Sequence, residues 1–138
     1  MRMLEDYWKD FENFGFIKHS KVGRTDYILS NEKGEGGFSI LGDISSAMAT
    51  ISDCTLYTPF VIKEYINERI IEIGQYYTGA ASYYQKKDRV FEFEYGLNAY
   101  VNFGTYCGYK RVEPNVRLIN ISFAFRENFL SSLPIKLE

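Results

Sequence analysis

The side chains in this chain that could do chemistry are mainly tyrosines and glutamates. Tyr76-Tyr77 and Tyr83-Tyr84 flank a run of small residues from Thr78 to Ser82. Tyrosine joins a flat apolar body to a polar tip, which suits the wall of a pocket. Neighbours in an extended strand point to opposite sides, so each pair offers one inward ring and one outward ring. Glu72 sits among Ile70, Ile71 and Ile73, a setting that predicts burial on both faces. A buried carboxylate must find a partner or a ligand, or take up a proton. Glu92 and Glu94 lie two apart on one strand face, and Glu64 and Glu72 fall in neighbouring strand candidates. Such pairs could serve as acid and base; the plainer reading is a polar stripe facing solvent.

Other chemistries lack their parts. The single histidine, His19, lies near Lys18 and Lys21 and reads as a solvated surface residue. No H-x-H pair or His-carboxylate cluster is present, so neither a metal nor another cofactor is expected. Cys54 and Cys107 have no adjacent base and read as reduced, part-buried thiols. "GEGG" at residues 34 to 37 lacks the Gly-Lys-Ser/Thr that completes a phosphate cradle, and is expected to form a flexible hairpin loop.

The elements that must position these residues follow from periodicity. Leu4, Tyr7, Trp8, Phe11 and Phe14 recur at helical spacing, with Gly15 as the stop. Beyond Gly15 the period changes to two. Strands are expected at "FIKH", "DYILS", around Phe38 and Ile40, at "AMATISDCTLY" and at "FVIKEYI", which turns at "NER" into "IIEIGQYY". In that last strand Ile71, Ile73, Gln75 and Tyr77 share one face, and Glu72, Gly74 and Tyr76 the other. Further strands are expected at "ASYYQ", "RVFEFEYG", "LNAYVNF" and, after a turn at "VEPN", at "VRLINISFAF". That final strand puts Ile119, Ile121, Phe123 and Phe125 on one side and Leu118, Asn120, Ser122 and Ala124 on the other. "RENFLSSL" closes the pattern with a helical turn. Eight to ten short strands after one leading helix favour an antiparallel sandwich or barrel over a parallel sheet.

A chain of 138 residues is the size of one domain, and residues 1–138 read as such. A net charge of −2, with no basic stripe, gives no footprint for nucleic acid. No apolar run approaches the roughly 18 to 20 residues that cross a bilayer, so no membrane partner is expected. The charged start "MRMLEDYWKDF" does not resemble a signal peptide, and a cytoplasmic location is the default.

From about Gly34 to Leu133 the chain resembles the amino-terminal sensor domain of AraC-type transcriptional regulators. The likeness is carried by "GEGGFSIL", "ISDCTLYTP", "ERIIEIGQYYTGAASYY", "FEYGLNAYVNF" and "EPNVRLINISFAFRENFLSSL", with Gly79, Gly96, Pro114 and the segment from Leu118 to Leu130 at the family's turns and closing strand. The resemblance implies a mainly β, cupin-like double-stranded β-helix, or jelly roll, behind a leading helix. It implies a small-molecule effector held inside and control of a helix-turn-helix domain that would contact DNA. No such domain is visible in this sequence, and self-association as a homodimer is left open. With strand alternation, it nominates Glu72, Gln75, Tyr77, Tyr83, Phe93, Tyr95 and Tyr100 for ligand binding, with no catalytic residue. Two alternatives stay open: a metal-free cupin epimerase or isomerase, and a non-catalytic β-barrel carrier or interaction domain.

Overall fold

A computed structural model of the chain describes residues 4–43, 45–79, 81–85, 88–93 and 98–134, with side chains described for 6–43, 45–63, 70–79, 109–129 and 131–134. Among the described residues, helix α1 (Leu4–Phe14) leads into nine strands: β1 (Ile17–Lys21), β2 (Arg24–Asn31), β3 (Gly34–Asp43), β4 (Ala47–Leu56), β5 (Phe60–Thr78), β6 (Ala81–Gln85), β7 (Asp88–Phe93), β8 (Asn98–Val112) and β9 (Arg117–Arg126). A short helix, α2 (Glu127–Ser132), follows. No helix among the described residues is long and apolar enough to cross a membrane.

Helix α1 ends as its sequence predicts. Gly15 takes φ 129°, its N–H donates to the Glu12 carbonyl, and the Phe16 N–H donates to the Phe11 carbonyl. That pair of bonds is the glycine-terminated cap that satisfies the last carbonyls of a helix.

The strands run antiparallel in the order β1-β2-β3-β4-β9-β5-β8-β6-β7. Within this order β4 pairs with β9, β5 with β8 and β6 with β7, three pairs nested about one hairpin. Such nesting describes a two-stranded ribbon. Winding the ribbon lays β5 against β9 and β6 against β8. The result is a double-stranded β-helix, the jelly roll, extended on one edge by the β1–β3 meander. Coiling of this kind removes most of the free edges that a flat sheet would expose.

Two local expectations fail. "GEGG" is not a loop: the β2–β3 turn is Glu32-Lys33, and the glycines lie inside β3. A Cβ on Gly36 would stand 2.3 Å from the Asp53 carbonyl oxygen, and one on Gly37 would stand 2.2 Å from that of Tyr27. Glycine is needed there because two neighbouring backbones crowd the strand on both sides. "NER" is likewise not a turn. Strand β5 runs unbroken through it, and its register against β8 shifts between Ile66 and Ile70. Extra residues absorbed in one strand bend it, as a strand that wraps a barrel requires.

The core gathers where α1 lies on the inner face of the sheet. Trp8, Phe16, Tyr27, Leu29, Phe38, Ile40, Leu56, Phe60 and Ile62 are all buried, with Phe11 and Phe14 packed against them. Tyr27 stacks on Phe38 at 4.8 Å, Phe11 meets Phe38 edge-on at 4.6 Å, and Phe14 lies 4.4 Å from Phe60. The aromatic stripe of the helix is thus inserted into an aromatic rim of the sheet. Each well-placed ring pair adds about 0.5–1.5 kcal/mol beyond the area it buries.

Candidate functional site

Between α1 and the inner sheet face the packing is incomplete and leaves a cavity of about 120 Å³. Its roof is Tyr7, Trp8 and Phe11 of α1. Met48, Leu56, Ile62, Ile70, Val112 and Leu118 form apolar walls. Its floor is polar. Thr50 and Ser52 of β4, Asn120 and Ser122 of β9, and Glu72 and Tyr76 of β5 all line it.

Register explains why these side chains meet. Thr50 pairs with Ser122, which pairs in turn with Gly74; Ser52 pairs with Asn120, which pairs with Tyr76. Met48, Ala124 and Glu72 form the next row. Paired residues on adjacent strands share a face. Three rows of mostly small residues therefore look inward together, and their small volume leaves the cavity unfilled.

Asn120 is 8% exposed and donates from Nδ2 to the Gln75 carbonyl at 3.0 Å. Ser122 is 7% exposed. Across the roof, Lys110 Nζ donates to the Tyr7 hydroxyl at 3.1 Å and stands 5.8 Å from the centre of that ring. The indole N–H of buried Trp8 has no partner among the described residues. Cys54 also lines the cavity as a free thiol, and burial, helped by the adjacent Asp53 carboxylate, pushes its pKa up to about 11. It is a protonated wall residue at neutral pH. Among the described residues no three His, Cys, Asp or Glu side chains come together as metal ligands would.

The nominated residues divide. Glu72 lines the cavity. Tyr77 does not: it is 47% exposed on the outer face, and the ring that lines the cavity is its neighbour Tyr76, 4% exposed. Gln75 shares the outward phase of Tyr77; only its carbonyl turns up near the floor, as the acceptor for Asn120. Ile73 is 44% exposed, so β5 is not buried on both faces around Glu72. The physical reason is that the inner side of β5 carries the smaller, more polar set, because it borders a cavity instead of packed core. Tyr83, Phe93 and Tyr100 occupy β6, β7 and β8, but their side chains lie outside the described residues, and Tyr95 lies wholly outside them. The side chains of Cys107, Glu64, Glu92 and Glu94 lie outside them as well.

Periodicity alone missed the floor and the roof. The signal was present as Leu118-x-Asn120-x-Ser122-x-Ala124 and Thr50-x-Ser52-x-Cys54, two runs of short side chains at period two. Their partners Ile119, Ile121 and Phe123 are more apolar, and by the ordinary rule would be placed inside.

No family model matches the chain, and no curated protein matches its sequence. Among solved structures the chain is similar to KdgF from Halomonas sp., at 14% identity over 80% of this chain and 86% of that one, with a TM-score of 0.48. It is similar to the EutQ protein of Clostridium difficile at 12% identity, over 86% and 93% of the two chains, with a TM-score of 0.48. A conserved Klebsiella pneumoniae protein with a double-stranded β-helix domain matches at 13% identity, over 72% and 78%, with a TM-score of 0.49.

Proposed function

We propose that this chain is a ligand-sensing regulatory domain of the AraC type, which binds a small effector in the cavity beneath α1 and so controls a DNA-binding domain. One observation carries this reading: a polar floor, with Asn120, Ser122 and Tyr76 buried in it, lies under an aromatic roof with space left between them. A few polar groups set among apolar and aromatic walls are the usual form of a small-molecule site, and the buried Trp8 N–H, which has no partner among the described residues, is a donor an occupant could meet. The volume sets the size. An engineered apolar cavity of about 150 Å³ takes one benzene, so about 120 Å³ suits a molecule no larger than a single ring.

The mechanism is differential binding. An occupant would touch Trp8 and Phe11 on the helix and Ser122 and Thr50 on the sheet at once. It therefore favours the arrangement in which α1 is seated, by as much as its affinity for seated and unseated states differs. The seated helix then presents a different surface to the domain it controls.

The test is a thermal-shift and calorimetric screen of single-ring molecules with hydroxyl, amide or carboxyl groups on the rim. A true occupant at about 100 times its Kd adds about 2.7 kcal/mol of stability. It should also slow alkylation of Cys54, and Ser122→Val should abolish both effects. Binders that neither protect Cys54 nor respond to Ser122→Val would place recognition elsewhere and defeat the proposal.

A second reading has one observation of its own. Glu72 lines the same cavity as the Tyr7 hydroxyl, which accepts from Lys110 at 3.1 Å. A carboxylate and a lysine-polarised phenol are the parts of a metal-free acid–base isomerase. Proton exchange into a bound ligand from solvent deuterium, lost in Glu72→Gln while binding persists, would favour that reading.

A further inference from the structure

The cavity beneath α1 is graded from one end to the other. At the deep end Cys54 pairs with Leu118, and both are buried along with Leu56, Phe60 and Val112. At the shallow end the row Met48–Ala124–Glu72 is half-buried throughout. That end also holds Lys110. Its Nζ donates to the Tyr7 hydroxyl at 3.1 Å, and Tyr7 packs with Met48 and Ala124 against Ile70. Glu72 and Lys110 both line the cavity, and both are half-buried. A carboxylate and an ammonium therefore stand at one end of a space whose other end is apolar.

We propose that the occupant is an apolar α-amino acid, bound with its side chain at the deep end and its charged head group between Glu72 and Lys110. This assignment rests on the reading of the cavity as an effector site. Charge is the first argument. A head group of one sign would be drawn to one of these residues and repelled by the other. A neutral molecule would strip water from both charges and return nothing to either. A zwitterion meets both, its ammonium at Glu72 and its carboxylate at Lys110. Each contact is then a charge-assisted hydrogen bond, the stronger kind.

Size and placement are the second argument. A space of about 120 Å³ takes one ring or one branched aliphatic side chain. The head group stays at the half-buried end, where the cost of desolvating it is least. One row deeper, Thr50 pairs with Ser122, and both hydroxyls line the cavity. A hydroxyl both donates and accepts, so this pair can serve the ammonium protons or carboxylate oxygens that Glu72 and Lys110 leave over. The grading of the walls thus follows the grading of the ligand, from charge through hydroxyl to hydrocarbon.

Calorimetric titration of the chain with three probes reads the result: L-phenylalanine, 2-phenylethylamine, which lacks the carboxylate, and 3-phenylpropionate, which lacks the ammonium. The wild type should bind phenylalanine about 10- to 100-fold more tightly than either analogue, the loss expected for one hydrogen bond between charged groups. Glu72→Gln should bring phenylalanine down to the level of 3-phenylpropionate. Lys110→Met should bring it down to the level of 2-phenylethylamine. Each variant should keep its affinity for the matching analogue, which shows that it is folded; if a variant does not fold, the wild-type comparison decides alone. Equal affinities for the three probes, or a preference for phenylalanine that survives both substitutions, overturn the proposal. The effector site outlives that failure if some other single-ring molecule still shields Cys54 from alkylation. If no such molecule shields it, the site is lost and this assignment with it.

Discussion

The two faces of the β4–β9–β5 sheet reverse the usual distribution of residues. Inward lie Thr50, Ser52, Asn120, Ser122 and Glu72; outward lie Ile51, Ile73, Tyr77, Ile121 and Phe123. In an ordinary antiparallel sheet the larger apolar set would be buried, since each side chain of that size contributes about 1.5–3 kcal/mol when taken from water. Here α1 supplies the missing apolar mass. Its aromatic stripe fills the rim around Phe16, Phe38 and Phe60, while the small floor residues keep the centre open. The inner face has given up packing for a space with hydrogen-bonding walls. The outer face keeps its larger apolar side chains about half in water.

If that division holds, the largest effect of any single change belongs to the roof. Trp8 is 7% exposed and touches Tyr7, Phe11, Tyr27 and Phe38 at ring distances of 4.9 to 6.1 Å. Trp8→Ala should cost about 3–5 kcal/mol, the range for deleting a buried large aromatic. Urea denaturation measures it. A loss under about 1 kcal/mol would mean that α1 is a loose appendage and that the sheet holds its own core.

Next comes the wall. Burial raises the Cys54 thiol to about 11 from its ordinary 9.0. The folded chain therefore holds this proton more tightly than the unfolded chain. The resulting stability is full below about pH 9 and drains away as pH climbs toward about 11. At about 1.4 kcal/mol per unit of pKa, the sum is about 2–3 kcal/mol. Tyr27 is also raised, chiefly by burial, and adds in the same direction. Stability measured against pH should fall more steeply for the wild type than for Cys54→Ala, and the thiol should react sluggishly with Ellman's reagent at neutral pH. Equal slopes for the two proteins would show that Cys54 is hydrated.

These contrasts also explain which features were legible in the sequence. The leading helix was, because Leu4, Tyr7, Trp8, Phe11 and Phe14 repeat at one period and Gly15 ends it without ambiguity. The mainly β class and the closing strand were legible for the same reason. The nested pairing was reached only through a family resemblance, since it depends on contacts between strands far apart in the chain. Face assignment misled at Tyr77. Alternation says which residues share a face, not which face is inside, and the apolar rule inverts over a cavity. The glycines of β3 were unreadable because the backbones that crowd them belong to β2 and β4.

A smaller effect separates the two faces by sign. Thr50→Val replaces a floor hydroxyl with a methyl of the same shape, and Ser122→Val does so while adding one more methyl to the cavity. Removing polar groups without exposing a partner is nearly neutral or mildly stabilising. The expected change is from zero to a gain of about 1 kcal/mol, together with loss of effector-induced stabilisation. A loss above about 1 kcal/mol in the empty protein would reveal hydrogen bonds that hold the fold, and the floor would then be structural.

The last effect is expected at Phe123. The ring is 49% exposed, so it already forgoes about half of the 1.5–3 kcal/mol that full burial gives. Phe123→Ser should therefore cost about 1 kcal/mol, well under the loss expected at Trp8. Urea denaturation of both variants measures the contrast. A loss at Phe123 equal to that at Trp8 would show that the outer face packs as tightly as the rim around α1, and the difference between the two faces would then be one of polarity alone.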